Sequence, residues 1–194
     1  MRVQRSLTTS LIILISACFL IAAYFPTLTN PPVQEQLFLI RRAILSDGAV
    51  HGVATGEWWR LITVALTHGG WTHLIFNMLA LYSVGLPVEM FYGRLRYSII
   101  FITSLVTASA ASLFFNPENV PAVGASGAIF GLFAAMLVTG RRMGVEYRSV
   151  GGVIVVNLLL TFAIPNIDWH AHVGGLAGGA LAAYLIKTFA TRQR

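Results

Sequence analysis

The chain has 194 residues, 56% of them hydrophobic and only 10% charged, with a mean hydropathy of +0.74. A soluble domain carries about 25% charged residues, so this chain lacks the polar surface to face water, and a soluble globular domain is excluded in favour of an all-α protein of the bilayer. The net charge of +6 does not point to nucleic acid, because the thirteen basic residues stand at the ends of apolar runs rather than on one polar face.

A membrane-crossing helix needs about 20 mostly apolar residues. The first such run is about Leu7–Phe25. Arg2 and Arg5 ahead of it resemble a secretory signal, and Ile15-Ser16-Ala17-Cys18 loosely matches a lipoprotein cleavage site. The run nevertheless continues through Ala23, which fits a retained span better than a cleaved peptide. Cys18 is the single cysteine, so no internal disulfide forms and no metal cluster is suggested. A long outer loop, residues 26–71, follows. Pro31-Pro32 open it, and Leu37–Leu45 is expected as a short helix in the outer interface. His51 reads as a solvated loop residue, and Trp58 and Trp59 suit the headgroup layer.

Further spans are expected at about Thr72–Tyr92, Tyr97–Phe115, Gly124–Gly140, Ser149–Pro165 and Ala171–Ala190. The result is a six-transmembrane-helix bundle, one membrane domain over residues 1–194 without an internal repeat. With a cytoplasmic N-terminus, that side holds Arg2, Arg5, Arg94, Arg96, Arg141, Arg142, Arg148, Lys187, Arg192 and Arg194, against Arg41, Arg42 and Arg60 on the other. This positive-inside bias puts both termini in the cytoplasm. Glu89, near Arg94 and Arg96, is expected in an ion pair at the cytoplasmic end, and Asn157 in a bond to a neighbouring helix.

Polar side chains inside spans are costly and mark function by default. The second span carries His73 and Asn77, four apart on one helix face, with His68 just before it. The fourth opens with Gly124-Ala125-Ser126-Gly127 and the sixth with His170-Ala171-His172. At about 1.5 Å of rise per residue, Ser126, His172 and Asn77 stand about 21, 22 and 24 Å from the cytoplasmic ends of their spans. Three polar groups thus fall in one layer near the outer surface. The fourth span is short, because Pro117 and Pro121 precede it. Ser126 should therefore start a helix at the bottom of a wet cavity open to the outside.

A serine hydroxyl needs a base to become a nucleophile, and His172 is the natural one. Asn77, His73 and the free backbone N–H of Ser126 are candidate oxyanion donors. Asp168, four residues before His172, is a candidate triad acid, and His170 a rival base on another face. The pairs Gly127/Gly131, Gly174/Gly178 and Gly175/Gly179 permit the close helix approach that a Ser126–His172 contact requires.

Gly124-Ala125-Ser126-Gly127-Ala128-Ile129-Phe130-Gly131 resembles the serine motif of rhomboid intramembrane proteases. His73-Leu74-Ile75-Phe76-Asn77 is similar to the family's HxxxN motif, and Ala171-His172-Val173-Gly174-Gly175 to its catalytic-histidine motif. Trp59-Arg60, Glu89 and Gly93 are also similar, and the likeness covers about 56–190. The resemblance implies a Ser126–His172 dyad, an oxyanion hole that includes His73 and Asn77, and a structural role for His68. It further implies membrane-spanning protein substrates cut near the outer face, and neither metal nor cofactor. The family's usual tyrosine four residues after the serine is Phe130 here, which keeps the ring and loses the hydroxyl. From other functional classes, a non-catalytic binder of membrane helices would have lost the serine or the histidine, and a small transporter would carry polar residues at the midplane of several spans.

Overall fold

The computed structural model describes residues 6–144, 147–163 and 167–192. Arg2, Arg5, Arg194 and the expected end of the fifth span at Pro165 lie outside the described residues. Helix α1 (Leu7–Tyr24) starts at Ser6, whose Oγ accepts from the Thr9 N–H. This N-cap satisfies one of the free donors at the helix start. A second device completes the job. The Glu89 carboxylate accepts from Leu7 N–H at 2.7 Å, from Thr8 N–H at 2.9 Å, and from the hydroxyls of Ser6 and Thr8 at 2.6 and 2.8 Å. Glu89 is thus a buried anion at a helix N-terminus, where the helix dipole and four donors stabilise it. The expected pairing with Arg94 and Arg96 gives way to these closer partners.

The loop after α1 differs from its expected form. Helix α2 (Val33–Leu37) ends where a helix was expected to begin. Beyond it Leu39 exchanges backbone hydrogen bonds with Ala122, and strand β1 (Ala43–Ile44) pairs antiparallel with β2 (Val50–His51). The cause is the turn between the strands. Gly48 takes a left-handed φ of +82°, and Asp47 Oδ1 accepts from Ala49 N–H. An Asp-Gly pair of this kind folds a hairpin rather than continuing a helix. Helix α3 (Arg60–Thr63) then carries the buried Arg60, whose Nε donates to Glu57 and whose Nη1 donates to the carbonyls of Glu35 and Phe38. One guanidinium therefore gathers three segments of the loop.

His51 remains partly exposed in the loop, but its ring is held at both nitrogens, by Glu57 at 2.7 Å and Asp47 at 3.0 Å. The Glu57 carboxylate, and then that of Asp47, raise the His51 pKa above its ordinary value. Burial works to raise the Glu57 pKa, yet bonds from His51, Arg60 and Gly52 N–H hold it below the usual range, while the Ala49 N–H and His51 lower that of Asp47. A raised histidine stabilises the fold below its unfolded pKa and loses that contribution as pH rises through the folded value. Lowered carboxylates contribute above their unfolded pKa and lose it as pH falls through the folded one. The hairpin should be tightest between about pH 5 and 6.5. Amide exchange over residues 43–57 is expected to be faster at pH 8 than at pH 6 after correction for intrinsic rates, and His51→Gln should flatten that difference.

The longer helices are α4 (Trp71–Tyr92), α5 (Arg94–Phe115), α6 (Ser126–Met143), α7 (Tyr147–Ala163) and α8 (Trp169–Arg192). Gly93 alone separates α4 from α5, at a φ of +75°. Helices α1, α4 and α5 are long and apolar enough to cross a membrane, and Ser126–Gly140 and Val150–Leu159 are shorter apolar stretches. Helix α6 packs against α4, α5, α7 and α8, so the element that begins with Ser126 is the core of the bundle. Ala125, Ala128, Leu132 and Ala135 are fully buried along it.

Candidate active site

Between α5 and α6 the chain runs through Pro117 and Pro121, and its backbone finds partners outside any helix. Glu118 O accepts from Arg42 N–H, Ala122 pairs with Leu39, and Gly124 N–H donates to Val64 O. Backbone N–H and C=O groups outside helices still need partners, and here the first loop supplies them. Gly124 holds a φ of +112°, after which Ala125 turns into the helix and Ser126 becomes its first residue. The Ser126 N–H therefore has no carbonyl one turn back to bond.

Helix α8 starts beside it. Asp168 Oδ1 accepts from Ala171 N–H at 3.0 Å, which caps the first turn. His172 follows, largely buried, with Nε2 2.9 Å from Ser126 Oγ. Its ring stacks on Phe130 with centroids 4.3 Å apart and planes at 22°. Phe130 lies one turn beyond Ser126 on the same helix, so α6 presents both the hydroxyl and the platform. Glycine makes this approach possible. A Cβ on Gly175 would overlap the Gly127 carbonyl, and one on Gly179 would overlap that of Gly131. Gly174 and Gly178 face the other way, toward Ala111 and Thr107 of α5. The glycine pairs of α8 thus divide between two neighbours rather than all serving α6.

His73 stands in the first turn of α4. Its Nδ1 accepts from Gly69 N–H at 3.3 Å, so the neutral ring carries its proton on Nε2. A Cβ built on Gly124 would lie 3.0 Å from that Nε2 and 3.8 Å from Ser126 Oγ. The two side chains therefore converge on space that only a glycine leaves open. Asn77, one turn further on, is buried and gives one amide proton to His73 O at 2.9 Å; its second amide proton remains for another acceptor. His68 is buried edge-on to His73, with centroids 5.0 Å apart.

Other expectations meet different neighbours. Asp168 caps α8 and does not reach the His172 ring. His170 bonds Asn116 through Nδ1 at 2.9 Å and lies between Phe115 and Trp169. Asn157 donates to Val153 O of its own helix instead of bridging to another. The residue that sequence reasoning missed is Thr161 of α7, whose Oγ1 is 2.9 Å from His172 Nδ1. A threonine in an apolar helix gives no local signal of such a role, because its hydroxyl commonly bonds the carbonyl four residues back.

Chemically, the arrangement offers a hydroxyl with an imidazole in hydrogen-bond contact, the first backbone N–H of α6 on the same residue, and the His73 ring beside them. Those are the parts of a covalent acyl-transfer site.

Comparison with known proteins gives the chain a family. A family model described as "Rhomboid domain" matches residues 55–189. Rhomboid protease GluP of Bacillus subtilis (strain 168) is 46% identical over 138 residues, which are 68% of this chain and 26% of that protein. The putative rhomboid protease YdcA of the same organism is 36% identical over 139 residues, 69% of this chain and 70% of that protein. RHOMBOID-like protein 4 of Arabidopsis thaliana is 34% identical over 139 residues, 67% and 34% of the two chains. The chain thus spans about a quarter of GluP and a third of the plant protein, and more than two thirds of YdcA.

Proposed function

Because the chain belongs to the rhomboid family, we propose that it is an intramembrane serine endopeptidase using a dyad of Ser126 and His172. The observation that carries this reading is the 2.9 Å contact between Ser126 Oγ and His172 Nε2, made by residues 46 apart on two helices that glycine allows to touch. Ser126 Oγ gives its proton to His172 Nε2 and bonds the scissile carbonyl carbon. Negative charge on the carbonyl oxygen is met by the Ser126 N–H, the His73 Nε2–H and the remaining Asn77 amide proton. Collapse breaks the C–N bond, and His172 returns the proton to the departing amine. Water, deprotonated by the same imidazole, then hydrolyses the acyl-serine ester.

The substrates are membrane-spanning proteins, cut near the extracytoplasmic face in a pocket that water reaches. Helix-weakening residues help the cleaved segment, since a backbone locked in i→i−4 bonds hides its carbonyls from attack. In this reading the chain crosses the bilayer six times, and the excess of Lys and Arg toward one side supports both termini being cytoplasmic. No metal or cofactor enters these steps.

The test is incubation of the protein in liposomes with labelled single-span substrates, the products being located by mass spectrometry. Cleavage within or beside the span that is lost in Ser126→Ala supports the assignment. Unchanged cleavage in that variant overturns the dyad. Capture of substrate helices without cleavage would favour a non-catalytic binder instead.

A further inference from the structure

Resting on the dyad proposed above, we infer that Thr161 is a positioning residue that fixes the tautomer and orientation of His172. Thr161 Oγ1, on a buried side chain of α7, lies 2.8 Å from Asn157 O and 2.9 Å from His172 Nδ1. The hydroxyl owns one proton and can donate only once. A carbonyl oxygen can only accept, so the short contact to Asn157 O requires that proton. Thr161 Oγ1 then accepts, and His172 Nδ1 must carry the hydrogen.

The rest of the ring follows. A neutral imidazole with Nδ1–H has a bare Nε2, which is the atom 2.9 Å from Ser126 Oγ. The contacts form one directed chain, from Ser126 O–H to His172 Nε2, from His172 Nδ1–H to Thr161 Oγ1, and from Thr161 O–H to Asn157 O. Every donor in it has an acceptor. The reverse assignment has Thr161 donating to Nδ1 and Nε2–H donating to Ser126. It leaves Asn157 O without the Thr161 proton, removes the base, and deprives the serine proton of its acceptor.

Among the described residues the hydrogen-bond partner of His172 Nδ1 is the Thr161 hydroxyl and not a carboxylate, Asp168 Oδ1 being bonded to the Ala171 N–H. With Phe130 stacked on one face, the imidazole is held at Nε2, at Nδ1 and across its plane. A neutral hydroxyl in this position orients the base without adding a charge to a low-dielectric site.

The test compares Thr161→Val, nearly isosteric but unable to accept, with Thr161→Ser, which keeps the oxygen. Nitrogen-15 shifts of labelled histidine, read on the resting protein with His172 assigned by substitution, report the tautomer independently of any turnover. Wild type and Thr161→Ser are expected to show Nδ1–H, and Thr161→Val to lose that preference. In cleavage, Thr161→Val should lower kcat about 10- to 100-fold with KM little changed, as when an outer partner of an imidazole is removed, and Thr161→Ser should restore most of it. An Nε2–H ring in wild type overturns the inference, as does a Thr161→Val protein indistinguishable from wild type in tautomer. If wild type cuts nothing, the protease reading fails while the nitrogen shifts still decide the role of Thr161. If Ser126→Ala cleaves normally, the dyad fails by itself.

Discussion

Ser126→Ala and His172→Ala should each abolish measurable cleavage, a loss on the order of 10⁴-fold or more in kcat, and the double variant should be no worse than either single one. The lack of additivity is the informative part. Ser126 and His172 touch only through one hydrogen bond at 2.9 Å. If they act as a unit, removing the hydroxyl leaves the imidazole nothing to deprotonate, and removing the imidazole leaves a hydroxyl that is a poor nucleophile. Two independent contributions would multiply instead. Initial rates on one reconstituted substrate, for both single variants and the double variant, check this. A double variant far below both singles would mean that Ser126 and His172 serve separate steps.

Gly175→Val is expected to be the most damaging change that leaves every polar group of the site in place. Its Cβ would overlap the Gly127 carbonyl oxygen and come 2.7 Å from the carbonyl carbon. The obstacle is backbone, which has no rotamer to yield. Helices α6 and α8 must separate, and the contact lies one residue past Ser126 and three past His172. Overpacking of this kind costs about 1–3 kcal/mol and occasionally more. Even a small separation lengthens the Ser126–His172 hydrogen bond beyond use, so activity should vanish before the fold does. Gly151→Ala supplies the control, because a Cβ there meets nothing within 4 Å. That variant should keep wild-type activity and gain up to about 1 kcal/mol of helix propensity. Cleavage rates and thermal unfolding in detergent, measured on both variants, decide the point. Retained activity in Gly175→Val would mean that the helices do not need this contact.

What the sequence revealed and what it hid follow one physical line. Ser126, His172, His73 and Asn77 stood out because each is a polar group in an apolar run, where it carries a cost and so a meaning. The close approach of α6 and α8 was legible because glycine spacing is itself a record of backbone proximity. The sequence could not reveal partners joined across long separations by ordinary residues. Glu89 finds Ser6, Leu7 and Thr8 some eighty positions away, so its nearer arginines misled. Thr161 looks like any threonine in a membrane helix until the fold places it against His172 Nδ1. The hairpin at Ala43–His51 was a different failure. Its Asp47-Gly48 turn was present in the sequence, but the apolar run from Leu37 to Leu45 suggested a helix instead.

The carboxylate of Glu89 also bears on how short this protein can be made. The segment shared with relatives starts at residue 55, and a trimmed chain starting there would retain every group of the proposed dyad and oxyanion hole. It would also strip Glu89 of the four donors that meet its carboxylate at the end of α4. A chain trimmed to that segment should therefore unfold more readily than one that keeps α1, because the first helix supplies the donors and the positive dipole end that hold the Glu89 charge.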